Sequence, residues 1–167
     1  MISLILGHMK RKKKKKLIEL YNQTSLNITK SLIYIRPTKD TRLFVSRCNI
    51  NIDNINFGNE TSDIEKYHYI FIDEFQFYPD DFISKIIKFS HDKNFIIAGL
   101  LSDINMKPWK NIITILPYCT EIIQLSSKCD DCCNSKFPIY HIGDSNVNDD
   151  YKVLCLKCKL KRNNEKY

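Results

Sequence analysis

Short runs of apolar residues alternate along the chain with segments in which apolar residues recur at the spacing of a helix. The runs predict five strands, at residues 2–6, 31–36, 69–72, 95–101 and 121–125. Strands that are apolar throughout belong in a sheet covered on both faces, which is typical of parallel sheets. The pattern therefore predicts an α/β fold with helices on both sides of a parallel sheet.

Two helical segments stand out between these runs. One has apolar residues at positions 17, 18, 20 and 21, and the other follows Pro79 and has them at 82, 83, 86, 87 and 89. From Ser126 onward the chain is instead rich in Cys, Lys, Asn and Asp and has few residues suited to a core. We therefore expect an α/β domain at residues 1–125 and a small lobe at residues 126–167.

Seven consecutive basic residues, from Lys10 to Lys16, account for the whole excess of positive charge. The chain contains 26 Lys and Arg and 19 Asp and Glu, so equal numbers remain when these seven are set aside. The run could be a patch that binds nucleic acid or another polyanion, a solvated face, or an altered functional loop. Charge alone leaves these three alternatives open.

Neither secretion nor membrane insertion is predicted. The apolar stretch at residues 2–6 is too short for a signal peptide and precedes the basic charges instead of following them. No apolar stretch reaches the length of a membrane span. The seven cysteines are therefore expected as thiols or metal ligands in a reducing compartment, which predicts a cytoplasmic location.

Two Cys-x-x-Cys pairs lie in the polar tail, Cys129 with Cys132 and Cys155 with Cys158. Each pair can form a tight turn that directs two thiolates to one point, and four thiolates complete the tetrahedral shell of Zn²⁺. Metal binding would supply the folding free energy of a lobe with so few apolar residues. We therefore predict a structural Zn²⁺ site, in which Cys133 could replace its neighbour Cys132.

An acidic pair, Asp73 and Glu74, directly follows the predicted strand at residues 69–72. In open α/β sheets, ligands bind at the carboxyl ends of the strands. An aspartate after an apolar strand has the form of a Walker-B element, whose aspartate holds Mg²⁺ on a nucleotide phosphate. A glutamate beside it can act as a general base. A bare acidic pair is more often a solvated turn, so the longer sequence around it has to decide.

The nine residues from Ile72 to Asp80, IDEFQFYPD, closely resemble the signature of the thymidine kinases of the cellular and poxviral type. Further landmarks agree in order: Lys-Asp-Thr-Arg at residues 39–42, Lys-Pro-Trp at 107–109, Ile-Gly at 142–143, and the two cysteine pairs. The resemblance covers residues 2–162. It implies a P-loop α/β domain with a zinc lobe, which transfers the γ-phosphate of ATP to the 5′-hydroxyl of thymidine.

Carried over by position, the resemblance implies that Glu74 is the base on that hydroxyl and that Asp73 serves the Mg²⁺ site. The residues implied around the nucleotide phosphates are Gly7, Met9, Lys13, Asp40 and Arg42. Those implied around thymidine are Phe77, Trp109, Ile142, Gly143 and Tyr151, the last three on a substrate-binding lasso. Members of this family are commonly tetramers, so a homo-oligomer is also implied.

The basic run falls on the phosphate loop, which this family writes G-x-M-x-x-G-K-[ST]. Lys12 stands in place of the second glycine, and Lys14 stands in place of the hydroxyl residue that coordinates Mg²⁺. A side chain at the glycine should obstruct the backbone cradle. An ammonium offers no lone pair to the metal and repels it. These changes predict impaired handling of the phosphates.

Three hypotheses follow. The chain could be an active thymidine kinase with an unusual loop, a catalytically inactive relative that serves as a structural or regulatory subunit, or a module that binds nucleic acid through the basic run. Thymidine and ATP would be the partners in the first case and a polyanion in the third. The retained Lys13, Asp73 and Glu74 favour the first, the altered loop favours the second, and the neutral remainder of the chain counts against the third.

Overall fold

Six parallel strands form the main sheet of the computed structural model, which describes residues 1–7, 12–40, 54–103, 105–126, 128–133, 140–142 and 152–164. The strands are β1 (Ile2–Gly7), β2 (Leu32–Ile35), β3 (Phe57–Gly58), β4 (Tyr69–Ile72), β5 (Asn94–Leu100) and β6 (Glu121–Gln124). Their order across the sheet is β3-β2-β4-β5-β1-β6. Every pairing is parallel, so all carboxyl ends meet at one edge. The five predicted strands and the predicted α/β class are confirmed.

The flanking helices are α1 (Lys13–Asn27), α2 (Asp80–Phe89) and α3 (Lys110–Ile115), with single 3₁₀ turns at Ile64–Lys66, Phe75–Phe77 and Leu116–Tyr118. Both helices that the apolar spacing predicts are present. The two-residue strand β3 and the six-residue helix α3 are not anticipated by the pattern, because each is too short to show a period.

The alternation of side chains along each strand divides the core between the two faces of the sheet. On one face, Phe71 of β4 packs with Leu17 and Tyr21 of α1. On the other face, Ile72 packs with Phe82 and with further apolar residues of α2 and α3. The apolar stripe of each helix thus explains why both surfaces of the strands are apolar.

The cysteine-rich part of the chain contains an antiparallel pair, β7 (Tyr140–Ile142) and β8 (Lys152–Leu154), followed by α4 (Leu156–Asn164). Its buried residues are few, and Leu154 packs directly with Cys129 and Cys158. The predicted division of the chain at residue 125 stays a prediction. Over the described ranges, no helix combines the length and apolarity that crossing a membrane requires.

Candidate functional site

The acidic pair lies at the carboxyl end of β4, at the middle of the sheet. The backbone N–H of Asp73 donates to the carbonyl of Ile35 at 3.0 Å. This hydrogen bond extends the pairing of β4 with β2 by one residue beyond Ile72. Asp73 is buried, with 3% of its surface exposed. Glu74 has φ 50° and ψ 48°, a left-handed conformation that residues with a Cβ rarely adopt. Such strained residues cluster at functional sites, where the surrounding structure holds them in place.

Gln76 holds the carboxylate of Glu74. Its Nε2 donates to Glu74 Oε2 at 2.8 Å, and its Oε1 accepts from the backbone N–H of Leu100 at 3.0 Å. Gln76 is buried and both hydrogen bonds are partly buried, which reduces competition from water. The carboxylate is therefore tied to the end of β5 as well as to its own strand.

Asn111 of α3 fixes the turn that carries these residues. Its buried Nδ2 lies within hydrogen-bond distance of the carbonyls of Phe75, Gln76 and Tyr78, at 3.2, 3.3 and 2.8 Å. The turn after β4 is thereby bound to α3, a helix that begins only at Lys110. No local pattern marks Asn111, because its partners are distant in sequence.

Lys14 brings a positive charge to the acidic pair. Its Nζ lies 3.2 Å from Asp73 Oδ2 and 3.9 Å from Asp40 Oδ2. Asp40 is also bound by Arg36, whose Nη2 lies 3.3 Å from the same oxygen. The side chains of Asp40 and Asp73 are only 2% and 4% exposed. Two buried carboxylates are thus matched by two cations, which is the arrangement that buried charges require.

Burial raises the pKa of Asp73; the charge of Lys14 counteracts this and the neighbouring Glu74 adds to it, and the net direction is upward. Tyr34 of β2 is fully buried beside it, and burial first and the Asp73 charge second raise the pKa of its phenol well above the ordinary value. Tyr34 therefore stays protonated beside Asp73. The carboxylate is buried among polar and charged side chains.

Lys12 precedes α1 and has φ 50° and ψ 24°, again in the left-handed region. This is the position at which the resemblance places a glycine, the residue that adopts this conformation without a steric cost. The first turn of α1 contains no acidic residue. Gly7 is buried at the end of β1, and Lys13 is the first residue of α1.

An aromatic pair lies beside the acidic turn. The rings of Phe77 and Trp109 meet edge to face, with centroids 5.9 Å apart and planes at 75°. Phe77 is 40% exposed, so its ring can contact a ligand. The resemblance implies that both residues lie around thymidine; the structure places their rings in contact, and the role itself stays a prediction.

Ile142, one of the predicted site residues, is the last residue of β7. Met9, Arg42, Gly143 and Tyr151 lie outside the described residues. The predicted roles of all these residues stay predictions.

The predicted zinc ligands converge. The Sγ atoms of Cys129, Cys132, Cys155 and Cys158 all lie within 4.8 Å of one another. Tetrahedral Zn²⁺ at its usual Zn–S distance separates thiolates by about 3.8 Å, and the pair formed by Cys132 and Cys155 is at 3.9 Å. The donor set and its spacing therefore fit a closed metal site.

Backbone N–H groups of the lobe favour the thiolate form of Cys129. Burial opposes ionisation of Cys129, but the N–H groups of Asp131, Cys132 and Cys155 outweigh it and lower the pKa of this thiol to about 6. Cys133 is exposed, has φ 57°, and is not part of the group. The sequence leaves open whether Cys132 or Cys133 is the ligand, and the structure groups Cys132 with the other three cysteines.

Asp131 braces the first Cys-x-x-Cys turn against α4. Its carboxylate accepts from Arg162 Nε at 2.6 Å and from Arg162 Nη2 at 2.7 Å, and it lies 3.4 Å from Lys152 Nζ. The two Cys-x-x-Cys segments are thus connected by an ion pair as well as by their thiols.

The parallel sheet, with a buried aspartate and a strained glutamate at its carboxyl edge near the start of α1, defines an α/β protein, and its four converging cysteines could hold a metal ion. The family model described as thymidine kinase matches residues 1–159. The chain therefore belongs to the thymidine kinase family.

Viral thymidine kinases are among the curated relatives that it resembles. It is 33% identical to the thymidine kinase of Choristoneura fumiferana entomopoxvirus in an alignment that covers 63% of this chain and 61% of that protein. It is 30% identical to the thymidine kinase of African swine fever virus (isolate Pig/Kenya/KEN-50/1950), with 78% of this chain and 75% of the relative covered. With that of rabbit fibroma virus (strain Kasza) the identity is 27%, with 94% of each chain covered. The chain thus spans less than two thirds of the length of the entomopoxvirus relative.

Proposed function

We propose that this protein binds thymidine at the carboxyl edge of its sheet and transfers phosphate from ATP to it slowly, as a thymidine kinase with a weakened phosphate site. One observation carries the proposal. Glu74 is held by Gln76 at 2.8 Å in a strained conformation, ready to act as a base, while the neighbouring Asp73 is already paired with Lys14 at 3.2 Å. The nucleoside half of the site is retained and the phosphate half is altered.

The aromatic pair supports the nucleoside part. The half-exposed ring of Phe77 and the Trp109 ring behind it offer an apolar wall next to the acidic turn. A thymine base gains stacking and burial against such a wall. A base bound there would bring its ribose toward Glu74, since only two residues separate Glu74 from Phe77.

The chemistry then needs one proton transfer. As the 5′-oxygen of thymidine forms its bond to the γ-phosphorus of ATP, the bond to the β-phosphate oxygen breaks and ADP leaves. The hydroxyl proton passes to the carboxylate of Glu74. Gln76 orients that carboxylate, and orientation of reacting groups provides much of the acceleration in phosphoryl transfer.

Two lysines explain why the reaction should be slow. The side chain of Lys12 occupies the position where a glycine would let the backbone close around the phosphates. Lys14 fills the space beside Asp73 with an ammonium, which brings one positive charge and no lone pair.

The remaining parts of the proposal concern assembly and location. Zn²⁺ would be held by Cys129, Cys132, Cys155 and Cys158 and would supply the folding free energy of the lobe. Reduced thiols suit the cytoplasm, and a homo-oligomer follows from the family. Polyanion binding by the basic run stays a prediction; among the described residues, Lys14 and Lys15 already contact acidic partners of their own chain.

The test is transfer of labelled γ-phosphate from ATP to thymidine, by the unmodified protein and by Glu74→Ala, together with calorimetric titration of thymidine. We expect thymidine binding by both proteins and slow transfer by the unmodified protein alone. Binding without transfer would support the inactive structural or regulatory subunit instead. Absence of both binding and transfer would overturn the proposal.

A further inference from the structure

Both oxygens of the carboxylate that the resemblance assigns to Mg²⁺ lie next to donor groups of the protein itself. Asp73 Oδ1 accepts from the backbone N–H of Glu74 at 3.0 Å, and Oδ2 lies 3.2 Å from the Nζ of Lys14. Mg²⁺ requires near-octahedral oxygen ligands at about 2.0–2.1 Å. The residues present at this position therefore do not fit the ion.

The two buried carboxylates already have cationic partners of the protein. Lys14 contacts both Asp73 and Asp40, Arg36 contacts Asp40, and Glu74 adds one further negative charge next to Asp73. A divalent ion would have to displace the ammonium of Lys14 or lie beside it. The first choice removes an ion pair from a buried carboxylate, and the second places like charges in contact.

Three separate segments build this arrangement. Lys14 comes from the first turn of α1, Asp73 follows β4, and Asp40 lies in the turn after β2. The side chain of Lys14 is one third exposed, whereas those of Asp40 and Asp73 are almost fully buried. Of these three groups, Lys14 is therefore the one that a ligand phosphate could reach.

We propose that the ammonium of Lys14 is a built-in cation that takes the place of Mg²⁺, so that this protein binds nucleoside triphosphates as metal-free polyanions. The inference rests on the proposed function, because it concerns the phosphate side of the same site. It predicts that the affinity for ATP does not depend on Mg²⁺. It also predicts that removing the ammonium opens a metal site.

The experiment compares ATP affinity with and without Mg²⁺, by calorimetry, in buffer freed of divalent ions on a chelating resin. A soluble chelator is avoided because it would extract a metal from the cysteine cluster. The variants are Lys14→Ser, Lys14→Arg, and Lys15→Ser as the matched control. Lys15 is the next residue of the run, and its contact is Glu19 on the same helix, at 3.7 Å.

We expect the unmodified protein, Lys14→Arg and Lys15→Ser to bind ATP equally well in both buffers. Lys14→Ser should lose roughly tenfold or more in affinity without Mg²⁺, as expected when one charge-assisted hydrogen bond is lost, and should recover when Mg²⁺ is added. A clear dependence on Mg²⁺ in the unmodified protein would overturn the inference. So would Lys14→Ser behaving like Lys15→Ser.

A second arm needs no nucleotide. Mn²⁺ alone, followed by its electron paramagnetic resonance signal, should bind at this site in Lys14→Ser and not in the unmodified protein. Equal Mn²⁺ binding by both would contradict the inference even if Lys14→Ser handles ATP as expected. Thymidine titration of the same samples separates the two proposals. Thymidine binding together with ATP binding that requires Mg²⁺ would overturn the metal-free nucleotide site alone, whereas failure of either thymidine or ATP to bind would count against the proposed function.

Discussion

The side-chain amide of Gln76 joins the predicted base to the sheet: Nε2 donates to Glu74 Oε2 at 2.8 Å, and Oε1 accepts from the N–H of Leu100 at 3.0 Å. Because Gln76 is buried and β5 is a central strand, Glu74 is held in one position relative to the sheet. Gln76 acts on the chemistry through Glu74 and is therefore a positioning residue.

Gln76→Glu tests this role. The new carboxylate can still accept from Leu100, but it repels the carboxylate of Glu74 instead of donating to it. We expect kcat for thymidine phosphorylation to fall by roughly tenfold or more, the lower part of the range for a general base, with little change in KM. Steady-state kinetics measures both constants. Gln23→Glu, on the exposed part of α1, is the control, and equal effects of the two changes would count against a positioning role.

The left-handed backbone at Lys12 has a cost that glycine would remove. Lys12→Gly should raise the free energy of unfolding by about 1 kcal/mol, because a Cβ in this conformation costs about that much. Lys16→Gly removes an identical side chain from a helical position and should lower it by about 1 kcal/mol. Urea unfolding of both variants measures the difference, and changes of the same sign would contradict the assigned backbone conformation.

Asp73 should reduce stability at neutral pH. Since burial raises its pKa above the unfolded value of 3.8, the folded protein binds the proton more tightly than the unfolded chain, and stability falls as pH rises through this window. We expect Asp73→Asn to be more stable than the unmodified protein at neutral pH. The gain should shrink to nothing below the unfolded pKa, where the carboxyl is protonated in both states. Thermal unfolding across pH tests this, and a gain that is the same at every pH would rule out this origin.

The metal centre can be tested with two cysteines of the lobe. Cys158→Ser removes one of the four converging thiols, so we expect the bound zinc and the fold of the lobe to be lost together. Cys133→Ser changes an exposed thiol outside the group and should keep both. Metal content by mass spectrometry and amide hydrogen exchange of residues 152–164 measure the two effects. Loss of zinc in Cys133→Ser but not in Cys158→Ser would show that Cys133 is a zinc ligand and that the assigned set of four cysteines is wrong.

Much of the sheet follows from the sequence because its strands are apolar on both faces. Residues 69–72 are predicted with the observed ends, since the acidic pair and the buried run mark both limits of β4. The cysteine cluster can also be predicted from the sequence, because Cys-x-x-Cys spacing is a local property. The edge strand β3 is missed, since two residues carry no period.

The candidate site is only partly predictable. The sequence indicates that an ammonium at position 14 repels a metal, but its pairing with Asp73 depends on how α1 meets the edge of β4. Asn111 shows no signal at all, because its three carbonyl partners come from another part of the chain. Contacts between distant segments decide these features, and a single sequence does not contain them.

The exposed ring of Phe77 should be the main apolar contact of the thymine base. We expect Phe77→Ala to weaken thymidine binding by roughly tenfold, the effect of losing one aromatic contact with a base. Tyr118→Ala changes an aromatic residue of similar exposure. Tyr118 precedes β6 and so lies at the amino ends of the strands, and the change should leave the affinity for thymidine unaltered. Calorimetry compares the two, and equal losses would place the base elsewhere.

Trp109 is the single tryptophan of the chain, and it contacts Phe77 at the predicted thymidine site. Its emission therefore gives the most direct test that the nucleoside site is retained. Titration with thymidine should change the emission in a saturable way, and deoxyadenosine should have much less effect. Emission that does not respond to thymidine, together with no heat of binding, would contradict a retained thymidine site.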